Sequence, residues 1–157
     1  MTSTRATAEL DGAGIDYVEH RYRLEGAPTR SYGEAVAAAI GFPPDRVFKT
    51  LVAEVDGDAV VAVLPVGRSL SPKALGAARG GKRAAMADAG LAERLTGYVT
   101  GGISPFGMRR RLPTVLDESA LGFETICVSG GQRGLQIEVS PHLLAGHLGA
   151  AVAPIAC

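Results

Sequence analysis

The chain has 157 residues, 46% of them hydrophobic, with no Trp and a formal net charge of zero. That length suits one domain spanning residues 1–157 around a single core, and the apolar share excludes the disordered class. No stretch approaches the ~20 apolar residues of a membrane helix, and Met1-Thr2-Ser3-Thr4-Arg5 lacks the apolar core of a signal peptide. Cys127 and Cys157 make no disulfide framework, so a cytoplasmic protein without a membrane partner is expected.

The zero net charge hides a segregation. Residues 68–111 carry nine basic side chains against two acidic ones, a surplus of seven positive charges. Such a region can hold a polyanion locally on a neutral protein. Scattered solvated charges would give the same count, so the sequence leaves both readings open.

In chain order, residues 4–10 read as a short helix ended by Gly12 and Gly14, and residues 15–22 as a strand. Residues 23–30 form a polar connection containing Pro28. Ser31 and Glu34 have capping-box spacing ahead of an apolar run stopped by Gly41, which predicts a helix. Residues 47–55 and 59–66 are strands flanking Asp56-Gly57, a two-residue hairpin signal. The continuous apolar run from Val60 to Leu64 marks the second as a central strand covered on both faces.

Ser71-Pro72 opens a helix that ends at Gly80-Gly81. A short strand at 84–86 follows, then a helix capped by Asp88 and running to about Leu95. Residues 98–107 are a loop and 112–116 extended. Strands at 125–128 and 135–139 flank a glycine-rich turn, Ser140-Pro141 starts a last helix closed by Gly149, and residues 151–155 end the chain as a strand. Interleaved helices and strands with hairpins predict an α+β fold with a mixed sheet flanked by helices.

The usual catalytic groupings are missing. His20, His142 and His147 have no metal-ligand spacing, and the two cysteines cannot complete a zinc site with them, so neither metal nor cofactor is expected. Cys127 lies in an apolar strand, where burial is the default for a free thiol. No nucleophile elbow, phosphate loop or dinucleotide fingerprint occurs. Lys49 stands out inside Val47-Phe48-Lys49-Thr50-Leu51-Val52. It either faces solvent on an edge strand or is held in a cleft, and spacing alone favours the solvent face. Residues 96–107 place Gly101-Gly102 shortly before Pro105, a stiffened loop able to present backbone amides to a carbonyl or phosphate. Ser129 and Gly130 sit at a strand end, where ligands often bind.

Val47-Phe48-Lys49-Thr50, the 96–107 loop, Arg111-Leu112-Pro113-Thr114 and Val128-Ser129-Gly130-Gly131-Gln132-Arg133-Gly134-Leu135 stand in order over residues 15–149. With these blocks the chain resembles the YbaK-type bacterial Cys-tRNA(Pro) and Cys-tRNA(Cys) deacylases, relatives of the editing domain of prolyl-tRNA synthetases. The resemblance implies an α+β domain with a partly barrel-like mixed sheet that binds the aminoacylated end of tRNA. It implies that Lys49 holds the terminal ribose-phosphate or the aminoacyl group. The backbone of Gly101 and Gly102 would polarise the ester carbonyl, with Ile103, Ser104 and Pro105 completing the substrate loop. Tyr22 and Tyr32 take aromatic pocket positions, and Thr50, Ser129 and Gly130 line the pocket. Gln136 stands where relatives often carry an acidic residue.

In that family the thiol of the misattached cysteine is thought to attack its own carbonyl, which removes the need for an enzyme nucleophile. Arg109, Arg110 and Arg111 are the candidates for holding tRNA, and prolyl-tRNA synthetase is a candidate partner. The competing readings are a deacylase for Ala-tRNA(Pro) or another mischarged tRNA, and a non-catalytic module that binds tRNA or a synthetase.

Overall fold

A computed structural model of the chain describes residues 3–25 and 31–157. The polar connection expected at 23–30 therefore lies largely outside the described residues. Five helices each open on a side chain that accepts a backbone N–H. These are Thr4 for α1 (Arg5–Ala13), Ser31 for α2 (Tyr32–Ile40), Ser71 for α3 (Pro72–Ala78), Asp88 for α4 (Ala89–Thr96) and Ser140 for α5 (Pro141–Leu148). Each such cap is worth about 1 kcal/mol. Of the two glycines expected to end α1, Gly14 does so, at φ 70°, while Gly12 lies within the helix. None of the described helices is long and apolar enough to cross a membrane.

The strands form two sheets where the sequence suggested one, and neither closes into a barrel. β1 (Tyr17–Arg21), β7 (Leu135–Val139) and β6 (Ile126–Ser129) make an antiparallel sheet in the order β1-β7-β6. β2 (Phe48–Val55), β3 (Asp58–Pro65), β4 (Ala84–Met86), β5 (Thr114–Asp117) and β8 (Ala151–Ala153) make the other, in the order β4-β2-β3-β5-β8. β2 is antiparallel to both β3 and β4, whereas β3, β5 and β8 run parallel. A bridge between Val47 and Cys127 joins the sheets just where β2 begins. Short 3₁₀ turns at Pro44–Arg46 and Glu118–Gly122 complete the chain path.

β3 is central, and its alternation divides the core. Val61 and Val63 pack with Ala6 and Leu10 of α1, Leu144 of α5, and Ile126, Val128, Ile137 and Val139 of the three-stranded sheet. Val60, Ala62 and Leu64 pack the opposite way, with Leu75 of α3, Val115 and Ile155. Both faces of the strand are therefore dry, which is why its sequence is continuously apolar. A third group, Ala37, Val47, Val66 and Cys127, seats α2 over the junction of the two sheets.

Asp117, 2% exposed, ties the C-terminal segment to this core. Its Oδ1 accepts from the backbone N–H groups of Ile155 and Ala156, both at 3.0 Å, and its Oδ2 accepts from the N–H and hydroxyl of Ser119. Burial pushes the carboxyl up, but the hydrogen bonds from Ser119, Ile155 and Ala156 outweigh it and hold the group below the usual Asp range. Asp117 therefore stabilises the fold fully above its unfolded pKa, ~3.9, and that contribution is lost as pH falls through the lower folded value. Asp117→Ala strands two buried N–H donors and is expected to cost about 2–3 kcal/mol. Urea unfolding at neutral pH measures this, and the gap between wild type and variant should narrow in acid.

Candidate active site

The junction of the sheets opens into a cavity of about 280 Å³, at the small end of ligand sites. Four structural units surround it. The start of β2 supplies Phe48, Lys49, Thr50 and Leu51. The first turn of α2 supplies Tyr32, Gly33 and Val36, with Ser31 at its cap. The 97–113 loop supplies Gly101 and Ile103, and the β6 and β7 strands add Ser129 and Gln136. Ser129 and Gln136 face each other in the β6–β7 register, so one ladder rung fixes both.

Lys49 thus lines the cavity, against the solvent-facing reading that spacing favoured. β4 covers the free edge of β2 only from Ala53 to Val55, and α2 and the loop wall the uncovered part. Burial lowers the Lys49 pKa from its usual value, and the carboxylate of Glu34 opposes the shift. Glu34 is itself engaged by the Ser31 hydroxyl at 3.0 Å. Among the described residues no carboxylate lies within ion-pair reach of Lys49, and none of the lining residues is acidic.

The loop is held from two sides at Thr100. Its N–H and hydroxyl donate to Glu93 Oε2 at 2.8 and 3.1 Å, and its carbonyl accepts two bonds from the Arg133 guanidinium at 2.9 and 2.7 Å. Gly101 follows with φ 90°, a conformation that favours glycine. The N–H of Gly102 donates to the Val99 carbonyl at 2.9 Å, and Gly102 is buried outside the cavity lining. Of the expected pair, Gly101 is thus the one that borders the cavity. Arg133 lies within the 128–135 block, but the sequence alone assigned a role neither to it nor to Glu93.

Tyr32 reaches across the mouth. Its hydroxyl donates to the Gly101 carbonyl at 3.4 Å and lies 3.3 Å from the hydroxyl of Tyr22. Burial and the Tyr22 hydrogen bond push its pKa up to about 12, so it remains protonated. Tyr22 itself does not line the cavity. Other expected site residues also lie outside the lining. Ser104 is fully buried and accepts the Phe106 N–H at 3.3 Å, which shapes the loop from within. Pro105 lines a separate cleft with Glu9, Arg109 and Arg111. Gly130 is pressed against Leu135, where a Cβ would lie 2.5 Å from Leu135 Cγ, and its carbonyl accepts the Thr4 hydroxyl.

The arginine run is exposed, and it too lies away from the cavity. Arg110 and Arg111 share a cleft with Arg79, Asp56 and Asp58. The basic surplus seen in the sequence is thus interleaved in space with carboxylates from the β2–β3 hairpin. Cys127 is fully buried, and burial pushes its thiol up to about 12, which leaves it unreactive at neutral pH. His20 and His147 are engaged by Glu138 and Glu9 at 2.9 and 3.1 Å, outside the cavity.

Among the described residues that line this cavity, Lys49 is the one cationic side chain and none is acidic, a histidine or a cysteine. Residues 27–146 match the aminoacyl-tRNA editing domain, and the chain belongs to that family. It is 42% identical, over 90% of its length and 85% of the relative's, to EbsC of Enterococcus faecalis, named as a candidate Cys-tRNA(Pro)/Cys-tRNA(Cys) deacylase. It is 29% identical to the uncharacterised YwhH of Bacillus subtilis over 69% of each chain. Among solved structures, the hypothetical protein APE2540 superposes with a TM-score of 0.86 at 25% identity, covering 98% of this chain and all of the other. A candidate trans-editing enzyme for prolyl-tRNA synthetase superposes with a TM-score of 0.81 at 26% identity, covering 98% and 95%.

Gly33 sets how closely α2 approaches the cavity. A Cβ there would lie 2.6 Å from Val66 Cβ and 2.7 Å from its Cγ1, a side chain too short to swing away. Gly33→Ala is expected to lift the first turn of α2 and cost about 1–3 kcal/mol. Chemical denaturation measures the loss.

Proposed function

We propose that this editing domain works in trans as an aminoacyl-tRNA deacylase that removes cysteine from mischarged tRNA(Pro). The observation that carries the reading is the desolvated, unpaired ammonium of Lys49 in the same small cavity as the Gly101 turn. The family membership and the likeness to EbsC support it. In this reading the whole chain acts as one domain in the cytoplasm, on tRNA charged by prolyl-tRNA synthetase, its candidate partner. Cysteine and proline are similar in size, and a pocket gains only about 1–3 kcal/mol from one methylene, which creates the need for editing.

The chemistry is within reach of the groups present. Lys49 anchors the anionic or carbonyl oxygen side of the aminoacyl terminus, and Gly101 offers its backbone to the ester carbonyl. Thr50, Ile103, Ser129 and Gln136 surround the amino acid, while Tyr32 flanks the terminal nucleoside at the mouth and Tyr22 holds the Tyr32 hydroxyl. The substrate thiol attacks its own carbonyl carbon and the bond to the ribose oxygen breaks. That oxygen takes the proton released by the thiol, and the products are a cyclic thiolactone and free tRNA. Gly102, Ser104, Pro105 and Gly130 act behind the lining by fixing the two loops. Arg109, Arg110 and Arg111 lie outside the cavity, where they can contact only tRNA phosphates remote from the ester.

Lys49→Ala is expected to lower cysteine release about 10²–10³-fold while the melting temperature changes little. Unchanged release in a folded variant would remove Lys49 from the mechanism. Because Lys49 acts charged and burial lowers its pKa, activity above the uncatalysed rate should fall at high pH, below the range of a free lysine. Parallel assays with Cys- and Ala-charged tRNA(Pro), with mass identification of the product, separate the substrates. Thiolactone from the first and no turnover of the second are expected. Free cysteine as the first product would indicate attack by water, and stoichiometric tRNA binding without turnover would indicate a non-catalytic module.

A further inference from the structure

Two side chains in the cavity are incompletely satisfied. Thr50 is 8% exposed and Gln136 is 6% exposed, both line the cavity, and neither Thr50 Oγ1 nor Gln136 Oε1 has a hydrogen-bond partner among the described residues. Buried polar atoms of this kind destabilise a fold and are uncommon unless a ligand completes them. These two are contributed by different sheets, Thr50 from β2 and Gln136 from β7, so their meeting at one cavity is a product of the tertiary fold.

We infer that Thr50 and Gln136 accept hydrogen bonds from the free α-amino group of the aminoacyl ester, so that the site requires an unblocked amine. This rests on the deacylase reading and specifies its substrate class further. The depth of the two residues selects the group. Tyr32, 40% exposed, and the partly exposed Gly101 lie toward the mouth, where the nucleotide must remain because the rest of the tRNA follows it. The aminoacyl cap is the end of the substrate and enters furthest. On that cap the amine is the one strong donor, with at least two N–H bonds for two acceptors, whereas a thiol donates weakly. No acidic residue is among the described lining residues, which makes these neutral oxygens the available partners. A substrate whose nitrogen is acylated, such as peptidyl-tRNA, offers a single N–H and is excluded.

The test compares cysteinyl-tRNA with 3-mercaptopropionyl-tRNA, which keeps the thiol and the ester, lacks the amine and is smaller. Each rate is taken relative to uncatalysed release. Loss of two hydrogen bonds, roughly fivefold each, predicts a drop in kcat/KM of about twenty-five-fold on the deamino substrate. Thr50→Val and Gln136→Met should bring the ratio between the two substrates toward one. Their melting temperatures should hold or rise, because each removes an unpartnered buried oxygen. Cysteine release with a ratio near one in the wild type overturns amine recognition and leaves the deacylase reading standing. A ratio preserved in both variants overturns the assignment to Thr50 and Gln136. If the wild type releases cysteine from no charged tRNA, the deacylase reading fails and this inference falls with it. The wild-type comparison decides the matter even if a variant does not fold.

Discussion

The Lys49 ammonium is withdrawn from water into a cavity whose other lining groups are neutral, so it is desolvated without being paired. A charge in that state is costly to the fold. It persists because the surrounding structure allows no escape. β3 pairs along the whole of β2, α2 is seated over the strand's start, and the Gly101 loop closes the remaining side. In the proposed reading, a substrate carbonyl or phosphate oxygen would meet a cation whose hydration shell is already partly removed, and the interaction would be stronger than on the surface. In that reading, the lack of an acidic side chain among the described lining residues leaves this cation available to a substrate.

Such an arrangement works only if the glycine turn stays in register with the lysine. Four side chains do this. Glu93 on α4 and Arg133 beside β7 grip opposite polar groups of Thr100. Thr4, the cap of α1, extends its hydroxyl to Gly130. Arg5, one residue on, donates to the Thr96 carbonyl at 3.3 Å and lies over the Tyr98 ring at 5.1 Å. A single helix start thereby fastens both glycine-rich loops. The loops are irregular, yet their backbone groups are tied to side chains on helices and strands, which is how a loop acquires the precision of the elements beside it.

Much of this was legible in the sequence where the physics is local. Ser31, Ser71, Asp88 and Ser140 announced their helices because capping depends on a few adjacent residues. Asp56-Gly57 announced its hairpin for the same reason, and the apolar run of β3 reported burial on both faces. The orientation of Lys49 was not legible from spacing. An edge strand and a strand walled by a helix and a loop give the same alternation, and the family resemblance carried that residue. The division into two sheets, the clamp at Thr100 and the unpartnered oxygens of Thr50 and Gln136 depend on pairings between distant segments. The interleaving of Asp56 and Asp58 with the arginines is of the same kind, invisible to a count of charges along the chain.

The order in which the chain can assemble follows from its strand pairing. The β2–β3 hairpin joins neighbours across two residues and can form within microseconds. The β1–β7 ladder joins Tyr17 to Val139, nearly opposite ends of the chain, and must wait for slow long-range closure. Because Thr50 belongs to the first and Gln136 to the second, a half-folded chain possesses Lys49 but no cavity. The cavity is thus complete only once both sheets have formed and met.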